Sequence, residues 1–238
     1  TAVDTPVTRS TASTPVPSDY EQTPPKPIPC ELRPRSGASI SQRPVWLVSM
    51  DSEDFRAPPT TTASLTAYFR RHGATSAATD IELVHFQGGS DIEPWLDNWR
   101  QGGLATAIAA RDAGLQPIVG FSFYTWNAAE FLSLAGELKR LLPDLLFIAG
   151  GPHVQQAEDY LGIDPIDVIF LGEAEITLQE FLDCPDPTGW ADIPGLAYLQ
   201  GATLTTTAER ERCQDLDQFP SPLEVLQLTG ENGEALYE

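Results

Sequence analysis

Two short segments of this chain carry residue types suited to holding a ligand. Residues 120–127 read Gly-Phe-Ser-Phe-Tyr-Thr-Trp-Asn, and residues 149–153 read Ala-Gly-Gly-Pro-His. Each begins as a buried-strand pattern and breaks abruptly into small and polar residues, which is how a parallel α/β sheet presents a ligand site at its carboxyl edge. Gly150 and Gly151 lack a Cβ, so backbone amides there can approach a ligand to van der Waals contact; Pro152 then turns the chain. Ser122 places a hydroxyl at a strand end. Tyr124 and Trp126 fall in a polar turn with Thr125 and Asn127, where exposed aromatic rings suit a flat or apolar ligand. Two further strand ends, at Asp51 and at Gly172-Glu173, would share the same rim. All of this is the chemistry of binding and orientation.

The elements that must position these residues follow from periodicity. Apolar runs of strand length occupy residues 45–50, 81–86, 117–123, 145–149 and 167–171. Between the first two, Leu65, Tyr68, Phe69 and His72 fall at helical spacing. Residues 95–99 read as a turn or short helix, and 104–113 as an alanine-rich helix ended by Gly114. Asn127, with Glu130 three residues on, reads as a capping box for a helix whose apolar face holds Phe131, Leu134, Ala135, Leu138, Leu141 and Leu142, and Pro143 closes it. A short helix is expected near 154–161 and another through Leu182. Five strands alternating with helices, none joined by a hairpin turn, predict a doubly wound five-stranded parallel α/β sheet with right-handed crossovers. Residues 195–205, around Gln200-Gly201, predict an appended β-hairpin.

Residues 1–44 hold nine prolines among Thr, Ser and charged residues. Such a segment buries too little to offset its ordering entropy and is expected to be a disordered arm. The organisation expected is therefore an arm over 1–44, an α/β domain over 45–188, hairpin and linker over 189–222, and the start of a connection over 223–238. The chain begins with Thr1, not Met, which suggests a piece of something longer.

Composition narrows the partners. A formal net charge of −20, from 34 acidic and 14 basic residues, would repel both a phosphate backbone and an anionic membrane surface. No apolar run approaches the roughly 18 residues of a membrane span, and no signal segment opens the chain. Three distant cysteines fit a reducing compartment, and the cytoplasm is expected.

Ser122 and Gly150-Gly151, 28 residues apart, resemble the serine and paired-glycine signature of vitamin B12-binding domains. With Gly172-Glu-Ala-Glu175 and Ile193-Pro-Gly-Leu-Ala-Tyr198, the text resembles the N-terminal domain of cobalamin-dependent radical S-adenosylmethionine enzymes over about residues 44–222, specifically in its second half and loosely in its first. The resemblance implies a flavodoxin-like sheet that binds cobalamin with the cofactor's nucleotide tail beside the paired glycines. It implies that Ser122 lines the tail pocket, that Gly150 and Gly151 let the tail pass, and that Tyr124, Thr125, Trp126, Asn127, Gly172 and Glu173 contact the corrin, with Asp51 and Pro152 on the same rim.

Two departures from the pattern matter. B12 proteins that supply an axial histidine to cobalt do so from an Asp-x-His-x-x-Gly motif after the first strand; here the text from Asp51 to Arg56 has Glu53 at the histidine position. Cobalamin is thus expected with its own base displaced and no histidine from this loop, a change that alters how readily cobalt is reduced. The Cys-x-x-x-Cys-x-x-Cys loop that holds a four-iron four-sulfur cluster is absent, so the cluster and S-adenosylmethionine would belong to a catalytic domain, in cis or in trans. The expected function is the cobalamin-binding module of a radical S-adenosylmethionine enzyme, with methyl transfer as the expected reaction. Two alternatives remain open from the residues alone: a nucleotide- or flavin-binding enzyme on a flavodoxin-like fold, although residues 51–59 contain no glycine to cradle phosphate, and a non-catalytic interaction domain.

Overall fold

A computed structural model of the chain describes residues 40–52, 57–88, 92–163 and 165–229. Most of the expected arm, Glu53, and the last nine residues of the expected connection lie outside them. Among the described residues the sheet has seven strands: β1 (Arg43–Met50), β2 (Thr79–Phe86), β3 (Ile118–Ser122), β4 (Leu146–Gly150), β5 (Val168–Phe170), β6 (Leu196–Gln200) and β7 (Thr203–Thr206). Their spatial order is β2-β1-β3-β4-β5-β6-β7. The first five are mutually parallel, in the flavodoxin order, as the sequence predicts. The expected hairpin is β6–β7, and it pairs antiparallel onto β5 to extend the same sheet.

The long apolar runs form central strands because both faces of the sheet are covered. All eight residues of β1 and all five of β3 are buried. Alternate residues of β1 serve opposite faces: Trp46, Val48 and Met50 join one core, Val45 and Leu47 the other. The first core is closed by α4 (Ala128–Leu141), through Phe131, Leu134, Ala135 and Leu138, and by a helical run ahead of β3. The second is closed by α1 (Thr60–His72), through Phe69, and by α5 (Glu175–Asp183), through Leu178, Phe181 and Leu182.

Two expectations about helices change. The two segments before β3 are continuous: α2 (Glu93–Asn98) passes through a π-helical turn at Trp99–Gly103 into α3 (Leu104–Asp112). Gly103 lies against the Trp99 indole with no room for a Cβ. Residues 154–161 form only a 3-10 turn at Ala157–Asp159, because Ala157, Tyr160 and Leu161 reach the core by an irregular path that Gly162, at φ +81°, ends. The apolar spacing there recorded burial and not helicity.

The C-terminus of α5 is tied to the α1–β2 link. Asp183 accepts hydrogen bonds from the Ala74 amide (2.9 Å), from the Thr75 amide and hydroxyl (2.8 Å each) and from Gln179 (2.6 Å). Burial pushes its carboxyl upward, but these bonds together hold it below the usual Asp range. Arg43 is buried beside this junction, donating to Thr79 Oγ1 and to the Leu182 carbonyl, and burial lowers its guanidinium.

Candidate functional site

β1 lies between β2 and β3, so successive connections depart in opposite directions there and a crevice opens beyond the carboxyl ends. The 122–127 loop closes over this point. Asn127 is fully buried, but its side chain does not cap α4 as the capping box predicts. Its Oδ1 instead accepts from the Tyr124 amide (2.9 Å), and its Nδ2 donates to the Ser122 carbonyl (3.1 Å). The loop is thus braced from within, and Trp126 is carried across to β1, where Nε1 donates to the Met50 carbonyl (3.1 Å). Tyr124 and Trp126 stack with centroids 4.6 Å apart, and Trp126 stays 46% exposed. Two aromatic rings held by directed bonds yet open to solvent form a platform at the rim.

Asp51, at the end of β1, is engaged within the protein. Its carboxylate accepts from the Ala57 amide (2.9 Å) and pairs with His85 Nε2 (3.2 Å), which also lies 3.0 Å from the Ala57 carbonyl. The other ring nitrogen of His85 shares a 2.9 Å hydrogen bond with Ser49 Oγ. This cluster anchors the start and return of the β1–α1 loop.

Between the sheet and the α1–α5 pair runs a groove of about 790 Å³. Leu47, Gly120, Ile148 and Phe170 form its floor, Thr61, Thr62 and Leu65 of α1 one wall, and Leu178 with residues 173–175 another. Gly120 is the reason the floor is low. It is paired in register between Leu47 and Ile148, and a Cβ there would stand 2.8 Å from Leu47 Cδ2 and 3.0 Å from Ile148 Cγ1. Sequence reasoning missed Gly120 as a site residue; the signal available was a glycine inside an otherwise bulky apolar strand, which marks a close approach.

The groove meets the rim at the paired glycines. Gly150 packs over Phe170, where a Cβ would stand 3.2 Å from the Phe170 Cβ. Gly151 has φ +114°, and the β3 and β4 ends are clasped by bonds from the Phe123 amide to the Gly150 carbonyl (2.7 Å) and from the His153 amide to the Phe123 carbonyl (3.2 Å). Ser122 lines the groove beside them. Its Oγ is buried and, among the described residues, has no hydrogen-bond partner. A buried hydroxyl without a partner costs about 1–3 kcal/mol, a deficit a ligand acceptor or donor removes.

The structure therefore gathers Ser122, Tyr124, Gly150, Gly151, Pro152, Gly172 and Glu173 around one groove. Asp51, Thr125, Trp126 and Asn127 are not among its lining residues: they brace or crown the rim above it. The sequence reading did not find the α1 wall or the end of β7 with the segment after it, residues 206–212, which closes the remaining side.

Residues 58–182, which include α1, all but the last residue of α5 and every parallel strand but β1, match the B12 binding domain family. This chain belongs to that family. Within this B12 binding domain, the lowered floor at Gly120, the passage at Gly150-Gly151 and the unsatisfied Ser122 hydroxyl fit a long ligand appendage with polar atoms, as the nucleotide tail of cobalamin is. Over 112 residues the domain is 30% identical to the cobalamin-dependent radical SAM methyltransferase TokK of Streptomyces tokunonensis, a match covering 44% of this chain and 16% of TokK. It is 31% identical over 112 residues to the 2-(S-pantetheinyl)-carbapenam-3-carboxylate methyltransferase of Streptantibioticus cattleyicolor, with the same coverages. The match thus spans about a sixth of the length of these curated relatives. The structure of the cobalamin-dependent S-adenosylmethionine radical enzyme OxsB with aqua-cobalamin bound shares the fold, with a TM-score of 0.53 and 18% identity over 78% of this chain and 25% of OxsB. Among the described residues no helix is long and apolar enough to cross a membrane.

Proposed function

We propose that this chain is the cobalamin-holding module of a radical S-adenosylmethionine methyltransferase, with the cofactor's nucleotide tail in the groove and its corrin on the rim. The observation that carries the reading is Ser122: a buried hydroxyl with no partner among the described residues, beside the paired glycines, in a groove of about 790 Å³. In this reading Ser122 hydrogen-bonds the tail, Gly150 and Gly151 admit it without a Cβ in the way, and Leu47, Ile148 and Phe170 bury its aromatic base. Burying such a surface is favourable by about 25 cal/mol per Å². Tyr124 and Trp126, with Thr125 and Asn127 behind them, support the corrin from one side, while Pro152, Gly172 and Glu173 flank it. Asp51 acts indirectly, holding the β1–α1 loop through His85 and Ala57.

Bound cobalamin supplies a cobalt centre that accepts and passes on a methyl group; the residues named here orient the cofactor and keep water from it. The base-off state without a protein histidine is supported by Glu53 at the position of the expected ligand and by His85, whose ring nitrogens are both in hydrogen bonds. The radical SAM methyltransferase identity of TokK, and the greater length of both relatives, support a catalytic domain in cis that would hold S-adenosylmethionine and the four-iron four-sulfur cluster. Acidic composition and few cysteines support a cytoplasmic setting without nucleic-acid or membrane partners.

Reconstitution with hydroxocobalamin followed by desalting tests the proposal: corrin absorbance should remain with the protein. After reduction to the Co(II) state, the paramagnetic resonance spectrum should be of the base-off type without nitrogen splitting. Loss of absorbance on desalting overturns the cobalamin reading, and nitrogen splitting overturns the axial assignment.

A further inference from the structure

The segment that leaves β7 lies outside the 58–182 span matched to the family, yet residues 206–212 wall the groove. It is fastened at three levels. Thr207 pairs with Leu196 through its amide to the Leu196 carbonyl (2.9 Å), and its hydroxyl accepts from the Leu196 amide (2.9 Å). The Ala208 carbonyl accepts from the Gly195 amide (2.8 Å). Arg210 then reaches across to α5, donating to Thr177 Oγ1 (2.8 Å) and to the Pro194 carbonyl (3.2 Å), and forms an ion pair with Glu180.

Arg210 therefore has its charge already matched. Arg212, two residues further on, also lines the groove, and among the described residues its guanidinium has neither an ion pair nor a hydrogen bond. The other charged residues in the lining are Glu173, Glu175, Glu209 and Glu211. In a chain of formal charge −20 with four glutamates in this lining, Arg212 is the cation of the groove, among the described residues, that no acidic side chain already holds.

The tail of cobalamin carries one anionic group. The nucleotide of cobalamin is joined to its corrin through a phosphodiester, which must pass between rim and groove. We propose that Arg212 receives this phosphodiester, so that the segment after β7 reads the nucleotide tail while Arg210 fixes the wall from which Arg212 extends. This rests on the cobalamin reading. A guanidinium fork matches two phosphate oxygens, whereas the groove's other cation is held by Glu180.

The test compares hydroxocobalamin with cobinamide, which keeps the corrin but lacks the phosphodiester and base. Binding is titrated spectroscopically on the wild-type chain and on Arg212→Gln, Arg212→Glu and Arg212→Lys, with circular dichroism melts to confirm folding. Arg212→Gln should weaken hydroxocobalamin about five- to tenfold, Arg212→Glu more, and Arg212→Lys least, while cobinamide binds all four alike. The wild-type affinity for hydroxocobalamin should also fall more steeply with salt than that of Arg212→Gln. Variants that match the wild type for hydroxocobalamin, or that lose both corrins equally, overturn the Arg212 assignment and leave the pocket reading in place. A wild-type chain that retains neither corrin overturns both.

Discussion

A Cβ placed on Gly151 would stand 2.6 Å from the Phe123 carbonyl oxygen, so the end of β4 can lie against the 122–127 loop only while that position has no side chain. The same carbonyl accepts from the His153 amide, and so cannot swing away without breaking a second contact. Gly151→Ala should destabilise the fold by about 1–3 kcal/mol, from the clash and from a φ of +114° that L-residues avoid. A chemical-denaturation midpoint indistinguishable from the wild type would refute this.

Gly120 makes the opposite case, because its obstruction would be met by side-chain ends beside open space. Gly120→Val should leave the melting temperature within a few degrees of the wild type, since a β-branched residue suits a strand, while filling the groove floor between Leu47 and Ile148. Corrin absorbance retained after desalting should fall at least tenfold. Unchanged retention would show that the tail does not run over this strand.

Ser122 should give effects of opposite sign in the two states. Ser122→Ala removes a buried hydroxyl that has no partner among the described residues, so the ligand-free protein should gain up to about 1 kcal/mol in urea unfolding. Hydroxocobalamin should bind about five- to tenfold more weakly, for want of the hydrogen bond. A variant less stable than the wild type and equally able to bind would reverse both assignments.

Asp183 governs an acid limb. Its folded carboxyl titrates below the ordinary value of 3.8, so the unfolded chain takes up its proton first as pH falls. The contribution is fully present above that ordinary value and is lost as pH drops through the depressed folded one. Asp183→Ala should therefore lower stability at pH 7 and flatten its decline as pH falls below about 4. Parallel wild-type and variant curves over that range would count against the junction with Ala74 and Thr75.

The strands were legible because burial on both faces leaves an unbroken apolar run, as in Val45 to Met50 and Leu145 to Ala149. The rim was legible for a related reason: at Ser122 and Gly150 those runs stop at a sheet edge, and the residue types change together. Less visible was anything decided by a distant partner. Asn127 has the type and spacing of a helix cap, but the Tyr124 amide and the Ser122 carbonyl compete for the same side chain and take it. Residues 206–212 have no apolar period, and their role depends on Arg210 meeting Thr177, 33 positions away. Gly120 sat in plain view, but a lone glycine in a strand says only that something comes close.

The hairpin joined to β5 has a consequence of parity. β5 runs toward the rim, β6 runs back from it, and β7 returns. An even number of added strands delivers the chain to the edge from which the parallel strands discharge; one strand, or three, would have left it at the opposite edge, a full strand length from Ser122. The count of two is thus as much a part of the groove's design as any residue lining it, and an insertion or deletion that changed it would move residues 207–212 to the wrong end of the sheet without altering a single contact residue.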